Sequence, residues 1–185
     1  MGCAADSVVR VTDDDVLLTR ALDQLADLLE DIPRGALGDR TPCAAWTVQD
    51  LVDHIVTAPA KFARMVRGDS VDWSAPTPAA GPDPAGAFRS HAADLLRAWR
   101  EIADTAPAPG VDWQCAELAV HTWDLASVRH RPTRDLDPEV AERGLAFMRA
   151  NLTEENRSSA FGPEQPAPAG ADVYQRIAAF AGRSV

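Results

Sequence analysis

Glu117 and His121 stand four residues apart in the run Cys115-Ala116-Glu117-Leu118-Ala119-Val120-His121-Thr122-Trp123-Asp124-Leu125-Ala126. On a helix that spacing puts both side chains on one face, within reach of a single ion. His54, on another apolar-periodic segment, falls at the edge of its own helix's buried stripe at much the same angular offset as His121, so the two histidines can face each other across a bundle. Two imidazoles and one carboxylate make three N/O ligands, the number that leaves a zinc-like or other divalent ion one position for water or substrate. Asp124 and Asp50, each one turn from a histidine, are candidates to orient the imidazoles from behind. The same spacing also suits a plain helix-face pair and a hydrogen-bonded core histidine. His91 competes for the third ligand position, although no carboxylate shares its face, while His130 suits the negative end of a helix dipole. Trp46 is a candidate pocket wall, Trp99 a core residue and Cys43 a small buried one.

Positioning those groups asks for helices. The chain reads as five or six helical patterns joined by proline-rich connections, with no strand alternation and no internal repeat, so the fold class is all-α. A first helix is predicted from about residue 14 to about 32 on Leu17, Ala21, Leu22, Leu25, Leu28 and Leu29, capped by Thr12 or Asp13. The second opens with Thr47 as N-cap and Asp50 three residues on, buries Leu51, Ile55, Ala58 and Phe62, and ends at Gly68. Pro59 inside it removes the hydrogen bond to the Ile55 carbonyl and predicts a kink one turn after His54. Residues 70–82 read as a loop closed by Asp83-Pro84, a cap followed by a first-turn proline. The third helix then covers about 84–103 and buries Phe88, Leu95, Leu96, Trp99 and Ile102. A connection at 107–110 leads to a fourth helix, 112 to about 128. Its core stripe is Cys115, Leu118, Thr122, Leu125 and Ala126, with Glu117, His121, Asp124 and Val128 along the edge. Asp137-Pro138 starts a fifth helix, and after an irregular stretch at 161–170 a short amphipathic segment carries Val173, Ile177 and Phe180. Residues 1–12 are expected to be flexible and residues 158–185 to dock as a tail, with the whole chain forming one domain. Short connections favour antiparallel neighbours.

Composition narrows the classes further. At 185 residues, 46% hydrophobic, 25% charged and with a net charge of −10, two full domains would be a squeeze. No stretch reaches the roughly 18 uninterrupted apolar residues of a membrane span, and no basic-then-apolar leader opens the chain, which predicts a cytoplasmic protein with no membrane partner. Three cysteines without C-x-x-C spacing give neither a disulfide framework nor a thiolate zinc site. The 18 basic residues are scattered and outnumbered, which argues against a nucleic-acid partner; Arg129, Arg131 and Arg134 form the only knot and read as a solvated helix end. The expected partner is a small-molecule substrate, and monomer and homodimer both stay open.

The segment Thr41-Pro42-Cys43-Ala44-Ala45-Trp46-Thr47-Val48-Gln49-Asp50-Leu51-Val52-Asp53-His54 resembles the T-P-C-x-x-W-x-V-x-x-L-x-x-H stretch of the mycothiol-dependent maleylpyruvate isomerase metal-binding domain, a family of the DinB-like superfamily. Glu117 to Ala126 is similar to that family's E-x-x-x-H-G-W-D-L-A helix. Phe161-Gly162-Pro163 and Ala179-Phe180-Ala181-Gly182-Arg183 resemble the tail of its shorter members. The resemblance spans nearly the whole chain. It implies an up-and-down four-helix bundle with one or two extra C-terminal helices, holding a divalent ion, zinc foremost with nickel or iron as alternatives, on His54, Glu117 and His121. It further implies an enzyme in which the ion lowers the pKa of a low-molecular-weight thiol, mycothiol, and presents it to a small electrophile for transfer or isomerisation. Alternatives are a metal-dependent hydrolase or cyclase of a specialised metabolite, and a non-catalytic metal- or ligand-binding bundle in which His91 or Asp50 closes the coordination sphere.

Two departures point away from maleylpyruvate itself. The chain is short for the further C-terminal domain that helps the isomerase proper bind its thiol. Thr122 replaces the usual glycine and the 105–111 connection is short for the family, and both changes are expected beside the metal.

Overall fold

The computed structural model describes residues 12–43, 45–102, 111–157 and 161–185. The expected flexible stretch 1–11, Cys3, the end of the third helix beyond 102, the 103–110 connection and residues 158–160 lie outside the described residues. Six α-helices carry the fold: α1 Asp13–Glu30, α2 Val48–Val66, α3 Pro84–Ile102, α4 Asp112–Val128, α5 Pro138–Asn151 and α6 Val173–Phe180. Two 3-10 turns, Arg34–Ala36 and Glu154–Asn156, interrupt the connections. Among the described residues there is no strand, only an isolated bridge between Arg40 and Thr47. No helix among them is long and apolar enough to cross a membrane.

The helix starts follow from local chemistry. Thr12 accepts from the Asp15 amide while the Asp15 carboxylate accepts from the Thr12 amide, both at 3.1 Å, so two of the orphan donors at the start of α1 are satisfied reciprocally. Thr47 with Asp50 and Asp172 with Gln175 repeat the device at α2 and α6. Asp83 and Asp137 cap α3 and α5, each followed by the proline that a first helical turn tolerates. α2 runs unbroken through Pro59.

α1 packs against α3 and α4, and α2 packs against the same two, so the bundle closes in the order α1, α3, α2, α4. α5 and α6 then cover the outer side of α4. The approach of α5 is close: a Cβ on Gly144 would lie 2.7 Å from the Ala116 Cα, so only glycine fits there. The consequence departs from the expected edge-and-stripe pattern, because all the residues from Leu118 to Ala126 are buried, not one face of them. A helix surrounded on all sides has no polar face to turn to water. Its polar side chains must therefore find partners inside.

The tail is pinned by side chains rather than by area alone. Arg157 donates to the Phe180 carbonyl at 2.7 Å and to the Gly162 carbonyl at 2.9 Å. Gly182, at φ +90°, passes so close to Gly162 that a Cβ there would stand 2.6 Å from its Cα. Tyr174 donates to the Asp137 carbonyl at 3.0 Å and ties α6 to the start of α5.

Candidate functional site

α2 and α4 meet over a cluster of polar side chains. The His54 Nε2 lies 2.6 Å from the Glu117 Oε1, and the His121 Nε2 lies 3.4 Å from the same oxygen. One ligand atom from each of the three residues falls within 4.8 Å of the others. The expected trio is thus brought together. Two imidazole nitrogens and a carboxylate oxygen converging from two helices are a donor set that fits a divalent transition metal, and the set carries the single negative charge that partly offsets one. Trp46 lies over both imidazoles, with ring centroids 4.7 Å from His54 and 5.9 Å from His121, and so walls the cluster where the sequence placed it.

Behind His121 the polar chain continues. Its Nδ1 donates to the Asp124 Oδ2 at 3.0 Å, which fixes the ring and turns Nε2 toward Glu117. Asp124 is fully buried and is held in turn by Arg183, whose Nε and terminal nitrogen donate to its two oxygens at 3.3 and 3.2 Å. Arg183 was not singled out by residue type or spacing. Its signal is visible in hindsight as a lone arginine in an otherwise apolar segment, following a glycine.

Electrostatics follow from this arrangement. Burial pushes the Glu117 carboxyl up, but the imidazoles of His121 and His54 outweigh it and hold the group well below the usual carboxylate range. Burial pulls His121 down, yet Glu117 and Asp124 on its two sides raise it to about 9. Burial likewise opposes ionisation of Asp124, and His121 and Arg183 keep it ionised.

Other candidates lie elsewhere. The Asp50 carboxylate accepts from the Thr47 amide at 2.9 Å and from the Thr47 hydroxyl at 2.6 Å, so it serves the α2 cap rather than a histidine. The His91 Nδ1 donates to the Val56 carbonyl at 2.7 Å, away from the trio. His130 takes the left-handed conformation, φ 52°, just past the end of α4. Trp99 is half-buried and donates to the Gln114 side chain at 3.1 Å. Thr122 is fully buried and its hydroxyl has no hydrogen-bond partner among the described residues. It does not line the cavity at the site, so the expectation that it shapes a substrate pocket is replaced by an internal position.

That cavity measures about 660 Å³, a size suited to a small molecule. Trp46, His54, Glu117, His121, Cys43 and Arg183 surround one end. Cys43 is half-buried there; burial pushes its thiol up, with Arg183 opposing, so it stays protonated at neutral pH. Cys115, inside α4, is pushed up to about 12.

Comparison with known proteins gives two findings. The profile of the family described as the mycothiol maleylpyruvate isomerase N-terminal domain matches residues 18–126, a stretch that includes all three trio residues. Two curated relatives, both described as uncharacterized proteins and coming from two strains of Mycobacterium tuberculosis, are each 32% identical over 184 residues, covering 90% of this chain and 95% of the relative. No solved structure matches.

Proposed function

Because the chain belongs to the mycothiol maleylpyruvate isomerase N-terminal domain family, in the DinB-like group, we propose that it is a divalent-metal-dependent enzyme acting with a low-molecular-weight thiol on a small electrophile. His54, Glu117 and His121 would hold the ion, and mycothiol, named in the family description, is the proposed thiol. The observation that carries the reading is the convergence of the three ligand atoms within 4.8 Å of one another at one end of a cavity of about 660 Å³. When bound, the ion would stabilise a thiolate at neutral pH and leave it nucleophilic.

The chain's own groups supply the rest. Asp124 keeps the His121 proton on Nδ1, so that Nε2 is the nitrogen offered to the site. Arg183 holds Asp124 ionised and in place. Trp46 shields both imidazoles from water on one side. His91 and Asp50, the two residues considered for a fourth protein ligand, are engaged with Val56 and Thr47, which supports an open coordination position over a closed structural site.

The test is elemental analysis of untagged protein beside His54→Ala and His121→Ala, followed by turnover assays with and without the thiol. Near-stoichiometric metal that is lost in both variants, with turnover that vanishes when the thiol is omitted, is the expected result. Turnover indifferent to the thiol sinks the thiol-transfer reading, and wild-type protein that takes up no metal after reconstitution sinks the metal reading.

A further inference from the structure

The trio occupies only one end of the cavity. The remainder is built by α4, α5 and the segment after it, from Trp113, Val120, Phe147, Met148, Leu152 and Phe161. Most of that wall lies beyond the residues that the family profile matches. Apart from two asparagines it is apolar, and both asparagines bond backbone groups through their side chains. Asn151 donates to the Phe147 carbonyl at 2.8 Å, while Asn156 accepts from the Thr153 amide at 2.7 Å and donates to the Asn151 carbonyl at 2.8 Å.

Charge points the same way. Among the described residues lining the cavity, Arg183 is the single arginine or lysine, and its guanidinium is already paired with Asp124 at 3.2 and 3.3 Å. A small dicarboxylate entering the lobe would meet apolar side chains and an arginine engaged with Asp124, and burying such an anion without a partner is costly. An uncharged apolar group meets only surface that gains by being covered.

The rim adds a preformed aromatic face. Trp113 is 38% exposed, yet it is braced edge-on by Phe62, with ring centroids 5.4 Å apart, and by Trp73 at 5.8 Å. A ring held in place that way covers a ligand with little loss of its own freedom.

We infer that the lobe formed by Trp113, Phe147, Met148, Leu152 and Phe161 is a subsite for an uncharged aryl or alkyl group of the substrate, and that it discriminates against small dicarboxylates. That the bound group belongs to the electrophile rests on the metal- and thiol-dependent reading above; the lobe's preference rests on its own residues.

The experiment titrates N-phenyl-1-naphthylamine, a neutral probe that fluoresces in apolar surroundings, against metal-free and zinc-loaded protein, with succinate as the dicarboxylate. Saturable binding of one probe per chain is expected, weakened about 3- to 10-fold in Trp113→Ala and in Phe161→Ala. Trp113→Phe should restore it, and Leu152→Arg should weaken the probe and strengthen succinate. His121→Ala should keep probe binding, which separates failure of the metal reading from failure of this one. No saturable probe binding, a change under about twofold in both alanine variants, or wild-type protein preferring succinate would overturn the inference.

Discussion

α2 and α4 each bring a histidine to the same cluster, but they do so from opposite situations. α2 is an amphipathic helix with one face in the core and the other in water, and its His54 sits at the boundary, 16% exposed. α4 is enclosed from Leu118 to Ala126, so His121, Thr122 and Asp124 have little or no access to solvent. At the boundary water can replace a lost partner. Inside α4 only another side chain can, and that is why a chain of partners runs from His121 through Asp124 to Arg183. The same cluster is thus tolerant on one side and demanding on the other.

The sharpest contrast should come from Asp124→Ala against His54→Ala. Removing Asp124 leaves Arg183 buried without its main partner and should cost about 3–5 kcal/mol in denaturant unfolding of the metal-free protein. His54→Ala should lose the metal while costing far less stability, and equal losses from the two would break the comparison. Next in size, Gly144→Val should destabilise by about 1–3 kcal/mol or more, since its Cβ would meet the Ala116 backbone.

The protonation of His121 separates the two helices by pH. Its value is raised from 6.5 to about 9 in the folded chain, so its contribution is complete below 6.5 and is lost as pH rises toward 9. Glu117 and Asp124 are lowered, so theirs is present above the ordinary values of 4.5 and 3.8 and lost in acid. Calorimetry of chelated protein should therefore show stability declining from pH 6.5 to 9, a slope that His121→Ala abolishes. A metal must displace the proton from Nε2, so zinc affinity should climb over the same interval. A flat profile in both measurements would contradict the enclosed imidazolium.

Smaller effects test the outer side. Thr47→Ala removes the α2 cap and should cost about 1 kcal/mol without changing metal content. Thr122→Val, inside α4, exchanges a buried hydroxyl without a partner among the described residues for a methyl group and should be neutral or stabilising by up to about 1 kcal/mol. A marked loss would mean that the hydroxyl has a role in the folded chain.

Local chemistry explains which features were legible in the sequence. Thr12, Thr47, Asp83 and Asp137 announce helix starts because a cap and its amide lie two or three residues apart. The leucines of α1 and the His54, Glu117, His121 trio follow from periodicity joined to the family resemblance. Asp50 had two plausible uses, and the α2 cap takes it, since both the Thr47 amide and hydroxyl donate to its carboxylate. The all-round burial of α4 was not legible, since it depends on where α5 and α6 dock, and a helical projection knows only its own helix. Arg183 escaped for the same reason: 59 residues separate it from Asp124, and nothing in either segment names the other.

That separation also orders events as the chain is made. α4 emerges with Asp124 before the segment carrying Arg183 exists, so for that interval a helix destined for the interior carries a carboxylate without its arginine partner. Its final enclosure waits on contacts of long sequence range, the slowest kind to form. The Asp124–Arg183 pair can therefore close only after the segment carrying Arg183 has been made.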